Sequence, residues 1–392
     1  MGLENKNTTE SMDKAKYQDY TYVVISTLNQ VVNVIPYKIY DFQEIYNMTI
    51  TDSPYFKNSE FNKNLGLTFR DTLGFKQLEM NSVKGMVQKL KGFFSDKKPI
   101  FWNITGGQRP FILAILEFIK DREDDVLCYL EGNSSTMTIT NNRESKEYNY
   151  HQSYVNIEEA LTLMGFKFKG VDTKEGKKEE REFYYKLYQL YIDNQILRKE
   201  FIGLNIVLDK GKKHCCNAFV KNSSFRDRLE AINFYQNTED DFKNKYPFGY
   251  ILEKLAFYQL EKEIKSKVES LVHSLKIIFS DDEKQKEIDH KMIDEFDIAI
   301  LTKNGKFIIF ECKSGGMSGD VAKSTNYSTY AISGVYGKPI LITPLIEQEI
   351  KDIDTLDESY KRVKSAIKSA KRATLDIWGI DEIAENIEAY IK

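Results

Sequence analysis

The chain has 392 residues, of which 41% are hydrophobic and 13% aromatic, so it can build more than one ordinary domain core. Its 56 Lys and Arg against 59 Asp and Glu give a formal charge of −3, which excludes a global basic field; a polyanion would have to be bound by local patches. No apolar run reaches the roughly 18 residues that span a bilayer, and residues 1–19 form a polar leader without a signal-peptide core, so we expect a cytoplasmic protein.

Strands and helices alternate along the first part of the chain. The pattern predicts strands at Tyr20–Ile25, Glu44–Ile50, Pro99–Ile104 and Asp125–Glu131, and helices at Val31–Tyr40, Lys84–Phe94 and Pro110–Lys120. This alternation predicts a parallel, Rossmann-like sheet, in which ligands bind beyond the carboxyl ends of the strands.

Two of those strand ends, residues 26–30 and 105–109, are short and polar. Gly106 and Gly107 permit close approach of a ligand to the backbone, and the following helix offers N–H groups to an anion. Arg109 adds a cation that suits phosphate. Neither segment is a P-loop or a G-x-G-x-x-G motif, and a plain glycine turn between a strand and a helix is the alternative interpretation.

Residues 167–240 form the part of the sequence that is least informative about structure. Lys167–Arg181 is charged and reads as a linker, Glu182–Phe201 predicts an aromatic-rich helical stretch, and Gly203–Val220 is compatible with two short strands. We interpret the whole range as a connector between two domains.

The thiols and imidazoles do not predict a metal site. The four cysteines (128, 215, 216 and 312) contain no C-x-x-C pair, and the four histidines are scattered. One histidine beside two adjacent cysteines at 214–216 makes a poor tetrahedral site, so we expect reduced, structural thiols.

Residues 294–315 predict a β-hairpin. Two runs of β-forming residues, 296–301 and 307–312, flank Lys303-Asn304-Gly305, and Asn-Gly between such runs is a strong hairpin signal. Because side chains alternate along a strand, we expect Phe296, Ile298 and Ile300 on one face and Asp297 on the other, with Glu311 and Lys313 sharing a face. A three-residue loop would set Asp297 opposite Glu311, and a two-residue loop would shift the pairing by one.

Two neighbouring carboxylates raise each other's pKa unless a cation lies between them. Their oxygens, with a backbone carbonyl and waters, suit Mg²⁺ or Mn²⁺. Lys313 could orient a metal-activated water or hold a phosphate oxygen, and this set suits metal-assisted phosphodiester hydrolysis. The alternative is an exposed hairpin with solvated charges, although these acids adjoin apolar runs that look buried.

Beyond the hairpin, Pro339–Thr343 predicts another strand. The buried stripe of one helix is predicted at Tyr360, Val363, Ile367, Ala370, Thr374 and Ile377. Lys361, Lys364, Lys368 and Lys371 lie on a different face, which we interpret as solvated, with a phosphate-binding track as the alternative.

The acid at 297 followed by Glu311-x-Lys313 resembles the PD-(D/E)XK nuclease superfamily, which has a restriction-endonuclease-like fold. Many members carry a further glutamate on a preceding helix, and Gly249–Leu260 looks like that helix, with Glu253 at the edge of its apolar stripe. The resemblance implies that Glu253, Asp297 and Glu311 hold the metal, with the carbonyl of Cys312 as a further ligand. It implies that Lys313 positions water or stabilises the developing negative charge.

Four segments in order, Ile25–Gln30, Asn103–Arg109, Cys128–Glu131 and Ile157–Phe166, resemble a CARF domain, the sensor of cyclic oligoadenylates made by type III CRISPR complexes. The resemblance implies ligand contacts from Ser26, Thr27, Asn29, Gln30, Thr105, Gly106, Gly107, Gln108 and Arg109. The family often has Thr-Gly-Gly-Thr-Lys, and Gln108 with Arg109 replaces the last two residues here. This departure retains positive charge and leaves the ring size open, with cyclic tetra-adenylate as the first candidate.

Together the resemblances imply an α/β chain with a Rossmann-like CARF domain over 20–166, the connector over 167–240 and a PD-(D/E)XK domain over 241–392. They imply a homodimeric, cyclic-oligoadenylate-activated nuclease of type III CRISPR antiviral defence, cutting single-stranded DNA, RNA or duplex DNA. The alternatives are a transcriptional or scaffolding sensor with an inactive nuclease fold, and a restriction-type endonuclease. The intact Asp297, Glu311 and Lys313 argue against the first, and the sensor-like first domain argues against the second.

Overall fold

A computed structural model describes residues 15–26, 30–49, 58–69, 73–77, 82–96, 98–132, 135–141, 143–150, 154–171, 177–204 and 214–391. It contains one seven-stranded and one six-stranded sheet, each flanked by helices. Within these residues, every helix is too short or too polar to cross a membrane.

The first sheet has the parallel core that the sequence predicts. Its strands are β1 (Thr21–Ile25), β2 (Glu44–Thr49), β3 (Leu73–Gln77), β4 (Ile100–Asn103), β5 (Val126–Glu131), β6 (Thr136–Thr140) and β7 (Ser145–Asn149). They stand in the order β3-β2-β1-β4-β5-β6-β7, and β6 runs antiparallel to both of its neighbours, β5 and β7. The chain runs outward from β1 to β3 and returns to β4 beside β1, so the strand order reverses between β1 and β4, where α/β sheets bind ligands.

Five helices belong to this sheet: α1 (Val31–Tyr40), α2 (Asn58–Phe69), α3 (Val83–Phe93), α4 (Arg109–Phe118) and α5 (Ile157–Leu163). Helices α3 and α4 cover one face, where Trp102 and Phe111 are fully buried. Helices α1 and α5 cover the other face. Helix α1 tolerates Pro36 inside it, as the sequence predicts.

The second sheet is mixed. Its strands are β8 (Phe166–Gly170), β9 (Ser270–Phe279), β10 (Asp294–Leu301), β11 (Phe307–Cys312), β12 (Lys338–Thr343) and β13 (Asp376–Gly379), in the order β13-β12-β11-β10-β9-β8. Strands β11, β12 and β13 are parallel, and β8 to β11 are joined by antiparallel ladders.

The helices of the second half are α6 (Lys178–Ile192), α7 (Gln195–Gly203), α8 (Cys216–Asn222), α9 (Arg226–Ala231), α10 (Phe234–Thr238), α11 (Pro247–Ile264), α12 (Asp282–Glu287), α13 (Gly319–Ser333), α14 (Glu347–Lys351), α15 (Lys361–Arg372) and α16 (Ile383–Ile391). Helix α11 is the longest, and twelve of its residues are buried against the second sheet and its neighbours.

The range 167–240 contributes directly to the second half. Strand β8 joins the second sheet, and Tyr184 of α6 stacks on Tyr258 of α11 with ring centroids 5.0 Å apart. Arg198 of α7 forms a buried ion pair of 2.8 Å with Glu349. Because a buried pair of this kind is costly to break, α7 is fixed to the second half.

Two predicted elements differ in the structure. The helix predicted over 360–377 ends at Arg372, because Thr374 takes a left-handed conformation with φ of 60° and the β-forming residues that follow enter β13. Residues 205–213 of the predicted two-stranded segment lie outside the described range. Its remaining part, 216–220, is helical and buries Cys216 and Val220.

The two sheets share one core. Tyr22 and Val34 of the first half and Val272, Phe296 and Phe307 of the second belong to a single cluster of buried side chains. Helices α1 and α5 therefore lie between the sheets, in contact with both.

Candidate active site

The hairpin of β10 and β11 has the register of a three-residue loop. Ile298 pairs with Phe310, and Gly305 in the loop has φ of 82°, which favours glycine. Extending this register places Asp297 opposite Glu311. The two-residue alternative is wrong, and both carboxylates lie at the end of the hairpin remote from its loop.

The alternation of side chains is interrupted beside Asp297. Phe296 packs in the core between the sheets together with Ala299, whereas Ile298 packs in the core beneath α11. The prediction that Phe296 and Ile298 share a face is therefore wrong. The ladder between β9 and β10 skips Asp297, where Ser274 has φ of 55°, and irregularities of this kind re-aim a side chain.

Asp297, Glu311 and Lys313 form one ion-paired cluster. The Lys313 ammonium contacts Glu311 Oε1 and lies 3.9 Å from Asp297 Oδ2. Asp297 Oδ2 accepts a hydrogen bond of 2.7 Å from the N–H of Cys312, and Glu311 Oε2 accepts one of 3.3 Å from the hydroxyl of Thr325. The Lys313 side chain is 29% exposed against 14% for Asp297, so solvent reaches the cluster most easily at the lysine.

The charges in this cluster perturb one another. Burial, followed by repulsion from Glu311 and Glu253, raises the pKa of Asp297 well above its usual range, while Lys313 and the Cys312 N–H oppose the shift. Burial alone would lower the pKa of Lys313, but attraction to Asp297 and Glu311 outweighs it and raises that pKa. Lys313 is therefore a permanent cation that can donate hydrogen bonds and cannot act as a base near neutral pH.

Glu253 reaches the same cluster from α11. Its carboxylate raises the pKa of Asp297, and its Oε2 lies 3.6 Å from Nε2 of His273 on β9. His273 is only 5% exposed, and its ring lies 5.5 Å from that of Phe257. Sequence analysis missed His273, because a lone histidine in a strand carries no local signal until β9 is known to pair with β10.

The donor set suits a hard divalent cation. Three carboxylates converge in a partly buried place where their mutual repulsion is large, and oxygen ligands are those that Mg²⁺ and Mn²⁺ prefer. Among the described residues, no three His, Cys, Asp or Glu side chains already stand together in coordinating positions. The Lys313 ammonium lies against Glu311. The Cys312 thiol is buried in the core, and its main-chain N–H borders the cluster through Asp297.

The two polar strand ends of the first sheet lie side by side. A Cβ on Gly107 would stand 2.8 Å from Cδ1 of Ile25 at the end of β1, so glycine lets the second loop approach the first. Gly106 is half-buried, and Gln108 and Arg109 are exposed. Helix α4 begins at Arg109 without a side-chain cap, which leaves the kind of helix terminus that binds anions.

Two of the predicted ligand contacts hold the loops from inside. Gln30 is fully buried, and its Oε1 accepts a hydrogen bond of 2.9 Å from Asn33. The Thr105 hydroxyl donates 2.7 Å to Oδ1 of Asn103 and accepts the N–H of Leu130 on β5 at 2.9 Å. These side chains fix the shapes of the loops.

A cluster of asparagines supports the first loop. The Ser26 hydroxyl lies 2.9 Å from Oδ1 of Asn47 and 2.6 Å from Oδ1 of Asn62, and Asn62 Nδ2 donates 3.1 Å to the Thr49 hydroxyl. Sequence analysis missed Asn47 and Asn62, because they come from β2 and α2 and meet Ser26 only in the folded sheet. Thr27 and Asn29 lie outside the described residues.

The loop of the β10–β11 hairpin touches the first half of the chain. Asn304 donates 2.7 Å to the Ser135 hydroxyl and 3.3 Å to the carbonyl of Gly132, at the turn that follows β5. Gly305 packs against Val31 so closely that a Cβ would not fit. Val31 is the first residue of α1 and follows the loop at 26–30.

Comparison with known proteins finds solved structures of similar fold and no matching sequence family. No family model matches the chain, and no curated protein is similar to it. Among solved structures, Can2 from Sulfobacillus thermosulfidooxidans, in complex with cyclic tetra-adenylate, is 16% identical with a TM-score of 0.67, covering 97% of this chain and 99% of that one. Protein VC1899 from Vibrio cholerae is 15% identical with a TM-score of 0.67, covering 93% and 95%.

At these identities the likeness defines the fold. The chain is an α/β protein with two sheets flanked by helices, and the predicted α/β fold class is confirmed. Its particular arrangement of two sheets is that of Can2 over nearly the full length of both chains.

Proposed function

We propose that this protein is a metal-dependent nuclease that a cyclic oligoadenylate switches on in type III CRISPR defence. The observation that carries the proposal is the convergence of Asp297, Glu311, Glu253 and Lys313 at one end of a hairpin. Solvated charges would have no reason to be gathered beside a buried core, because burying like charges together is costly.

The residues would divide the work of phosphodiester hydrolysis. Asp297, Glu311 and Glu253 would hold Mg²⁺ or Mn²⁺, with the main-chain carbonyl of Cys312 as a further ligand. The bound metal would stabilise negative charge on the phosphate and make a water more acidic. Lys313, kept protonated by its neighbours, would donate to a phosphate oxygen or orient the attacking water. The Thr325 hydroxyl would keep Glu311 in place.

The activator site would lie over the ends of β1 and β4. Arg109 is exposed there at the start of α4, and a guanidinium together with a helix N-terminus suits a phosphodiester. Can2 has the same fold and was solved with cyclic tetra-adenylate, so this compound is the first activator to try. The buried Gln30 and the bonded Thr105 would shape the pocket, and Ser26, Gly106, Gly107, Gln108 and Arg109 would line it.

Activation would be carried by the tip of the catalytic hairpin. The tip meets Val31, which follows the first ligand loop, and Gly132 and Ser135, which follow β5. Strand β5 is itself bonded to Thr105 of the second ligand loop. A ligand that favours one placement of these loops would therefore bias the hairpin that carries Asp297 and Glu311.

Assembly would follow from the symmetry of the ligand. A cyclic oligoadenylate repeats the same unit, and a two-fold dimer presents the same two loops twice around one axis. We expect a homodimer with one ligand per dimer, which sedimentation and calorimetric titration would measure. A ligand-bound monomer, or one ligand per chain, would contradict this assembly.

One screen tests the proposal. Purified protein with Mn²⁺ or Mg²⁺ would be offered cyclic oligoadenylates of several ring sizes and labelled single-stranded DNA, RNA and duplex DNA. We expect cleavage that requires both the metal and a cyclic oligoadenylate, and that a Glu311→Gln preparation lacks. Metal-dependent cleavage at a rate that no cyclic oligoadenylate changes would favour a restriction-type endonuclease. Binding of a cyclic oligoadenylate without cleavage would favour a sensor with an inactive nuclease fold.

A further inference from the structure

Lys306, the residue before β11, is a buried cation without an acidic partner. It is 9% exposed, and its ammonium forms no ion pair with any residue that the structure describes. The other buried Asp, Glu and Arg residues of the described chain all contact an opposite charge; they are Asp125, Arg198, Asp241, Glu261, Glu311 and Glu349. Because an unpaired buried charge is costly, a lysine in this position indicates an anion that comes from outside the chain.

A second lysine adds to this cost. Lys338, at the start of β12, is exposed and pairs in the parallel ladder with Ile308, two residues after Lys306. Burial and repulsion from Lys338 lower the pKa of Lys306, and attraction to Glu131 opposes them. Two cations near one carboxylate leave a surplus of positive charge, which an anion such as a phosphate group would neutralise.

The position of Lys306 excludes the scissile phosphate as this anion. Lys306 precedes Glu311 by five residues along the strand, which at about 3.3 Å per residue places the two roughly 17 Å apart. A phosphate held by the carboxylates of Asp297 and Glu311 is therefore out of reach of the Lys306 ammonium.

Lys306 lies instead beside both loops of the proposed activator site. Its neighbour Gly305 packs against Val31, which directly follows the first ligand loop. Asn304 donates to the carbonyl of Gly132, which directly follows β5. Since β4 lies between β1 and β5 in the sheet, the hairpin tip lies across the carboxyl end of β4, from which the second ligand loop leaves.

We propose that Lys306, with Lys338 beside it, binds a phosphate group of the cyclic-oligoadenylate activator. A cyclic oligoadenylate is a polyanion, and lysine binds phosphate as a point charge. The contact joins the activator directly to the strand that carries Glu311, so the second half of the chain supplies part of the activator site. The inference rests on the proposed function and deepens it by adding a residue of the nuclease half to that site.

The first test compares two variants that each remove one positive charge near the hairpin tip. Lys306→Met should weaken binding of cyclic tetra-adenylate about tenfold or more in calorimetry, because a charge-assisted hydrogen bond is lost. Lys303→Met is the control, since the described polar contact of Lys303 is with the carbonyl of Ser266 in the second half. It should change the affinity by less than about twofold, because solvent screens its charge. Wild-type affinity in Lys306→Met, or an equal loss in both variants, would overturn the assignment.

Thermal melting provides a readout that does not depend on cleavage. Without activator, Lys306→Met should melt at or above the wild-type temperature, because an unpaired buried charge is removed. Cyclic tetra-adenylate should then raise its Tm by less than it raises the wild-type Tm. A lower Tm of the variant without activator would show that Lys306 already has a partner, and would overturn the proposal.

Lys338→Met keeps the proposal testable if Lys306→Met does not fold, because Lys338 is exposed. We expect it to weaken binding of cyclic tetra-adenylate about two- to fivefold, the effect of a partly screened charge. In that case an unchanged affinity would overturn the proposal.

Inorganic phosphate separates the two sources of the anion. If it raised the Tm of the wild type but not of Lys306→Met, while both bound cyclic tetra-adenylate equally, Lys306 would belong to a site for free phosphate and the proposal would be wrong. A wild-type protein that binds no cyclic oligoadenylate of any ring size would overturn the proposed activation together with this inference. Wild-type binding that Lys306→Met fully retains would overturn the inference alone.

Discussion

Asn304, at the loop of the β10–β11 hairpin, donates a 2.7 Å hydrogen bond to the hydroxyl of Ser135, at the turn after β5. If this contact carries activation, Ser135→Ala should lower the activator-induced increase in cleavage while leaving activator affinity almost unchanged. Loss of a buried hydrogen bond costs about 1 kcal/mol, so we expect about a fivefold smaller activation. Cleavage rates with and without cyclic tetra-adenylate, beside calorimetry, would measure the two effects separately.

Lys303→Ala is the matched control, because Lys303 lies in the same loop and its described polar contact is with Ser266 of the second half. It should behave as wild type. An Asn304→Ala and Ser135→Ala double variant should add little to either single variant, since the two share one interaction. Full activation in both single variants would remove this contact from the coupling route.

Lys313→Met and Glu311→Gln should each abolish cleavage. Lys313 supplies the only permanent cation described in the cluster around Asp297 and Glu311, and removal of a group that stabilises transition-state charge costs roughly 10²-fold or more. Both variants should retain activator binding, because the loops at 26–30 and 105–109 are untouched. A Glu311→Gln preparation that cleaves at the wild-type rate would contradict the site.

Asp297→Asn should stabilise the metal-free protein while removing its activity. The folded pKa of Asp297 is raised above the unfolded value of about 3.9, so the folded state holds the proton more tightly. Stability then falls as pH rises from that value through the folded pKa, and the asparagine lacks this loss. Scanning calorimetry in the presence of a chelator should show a higher Tm for the variant than for the wild type, and the difference should widen as the pH rises. Each kcal/mol of difference in the free energy of unfolding corresponds to roughly 2–4 °C in Tm. An equal or lower Tm at pH 8 would contradict the repulsion.

His273→Asn should weaken metal use without removing it. His273 lies 3.6 Å from Glu253, and loss of a residue that positions a metal ligand typically lowers metal affinity about 10–100-fold. The Mn²⁺ concentration for half-maximal cleavage should rise, and the rate at saturating Mn²⁺ should recover. An unchanged Mn²⁺ requirement would leave His273 a core residue only.

Arg109→Glu should weaken activator binding by about tenfold or more, because a charge-assisted hydrogen bond is replaced by repulsion. Arg143→Glu is the control, since Arg143 is 76% exposed. It lies on the turn between β6 and β7, at the amino ends of the parallel strands, whereas Arg109 lies beyond their carboxyl ends. Calorimetry with cyclic tetra-adenylate would compare them. Equal affinity of the two variants would remove Arg109 from the pocket.

Local chemistry explains what the sequence could predict. The Asn304-Gly305 turn and the apolar runs beside it determine the hairpin, and with it the meeting of Asp297 and Glu311. Helix α1 runs from Val31 to Tyr40 as predicted, because its apolar residues dominate in spite of Pro36. These features depend on contacts within about 20 residues.

Long-range contacts explain the features that the sequence could not predict. His273 reaches Glu253 only because β9 pairs with β10 while α11 packs across the sheet. Likewise, Arg198 contacts Glu349, which is 151 residues away in the sequence. No local pattern predicts that α7 packs with the second half. The interruption beside Asp297 depends on the backbone of Ser274 on another strand.

The core between the sheets makes the two halves unsuited to exchange as separate modules. Val272, Leu275 and Phe307 of the second sheet share one buried cluster with side chains of the first half, such as Val34. A fragment starting after residue 166 would present these apolar residues to water and would be prone to aggregate. Grafting a different sensor onto this nuclease would therefore require matching its interior surface to the second sheet, and a peptide linker alone would not suffice.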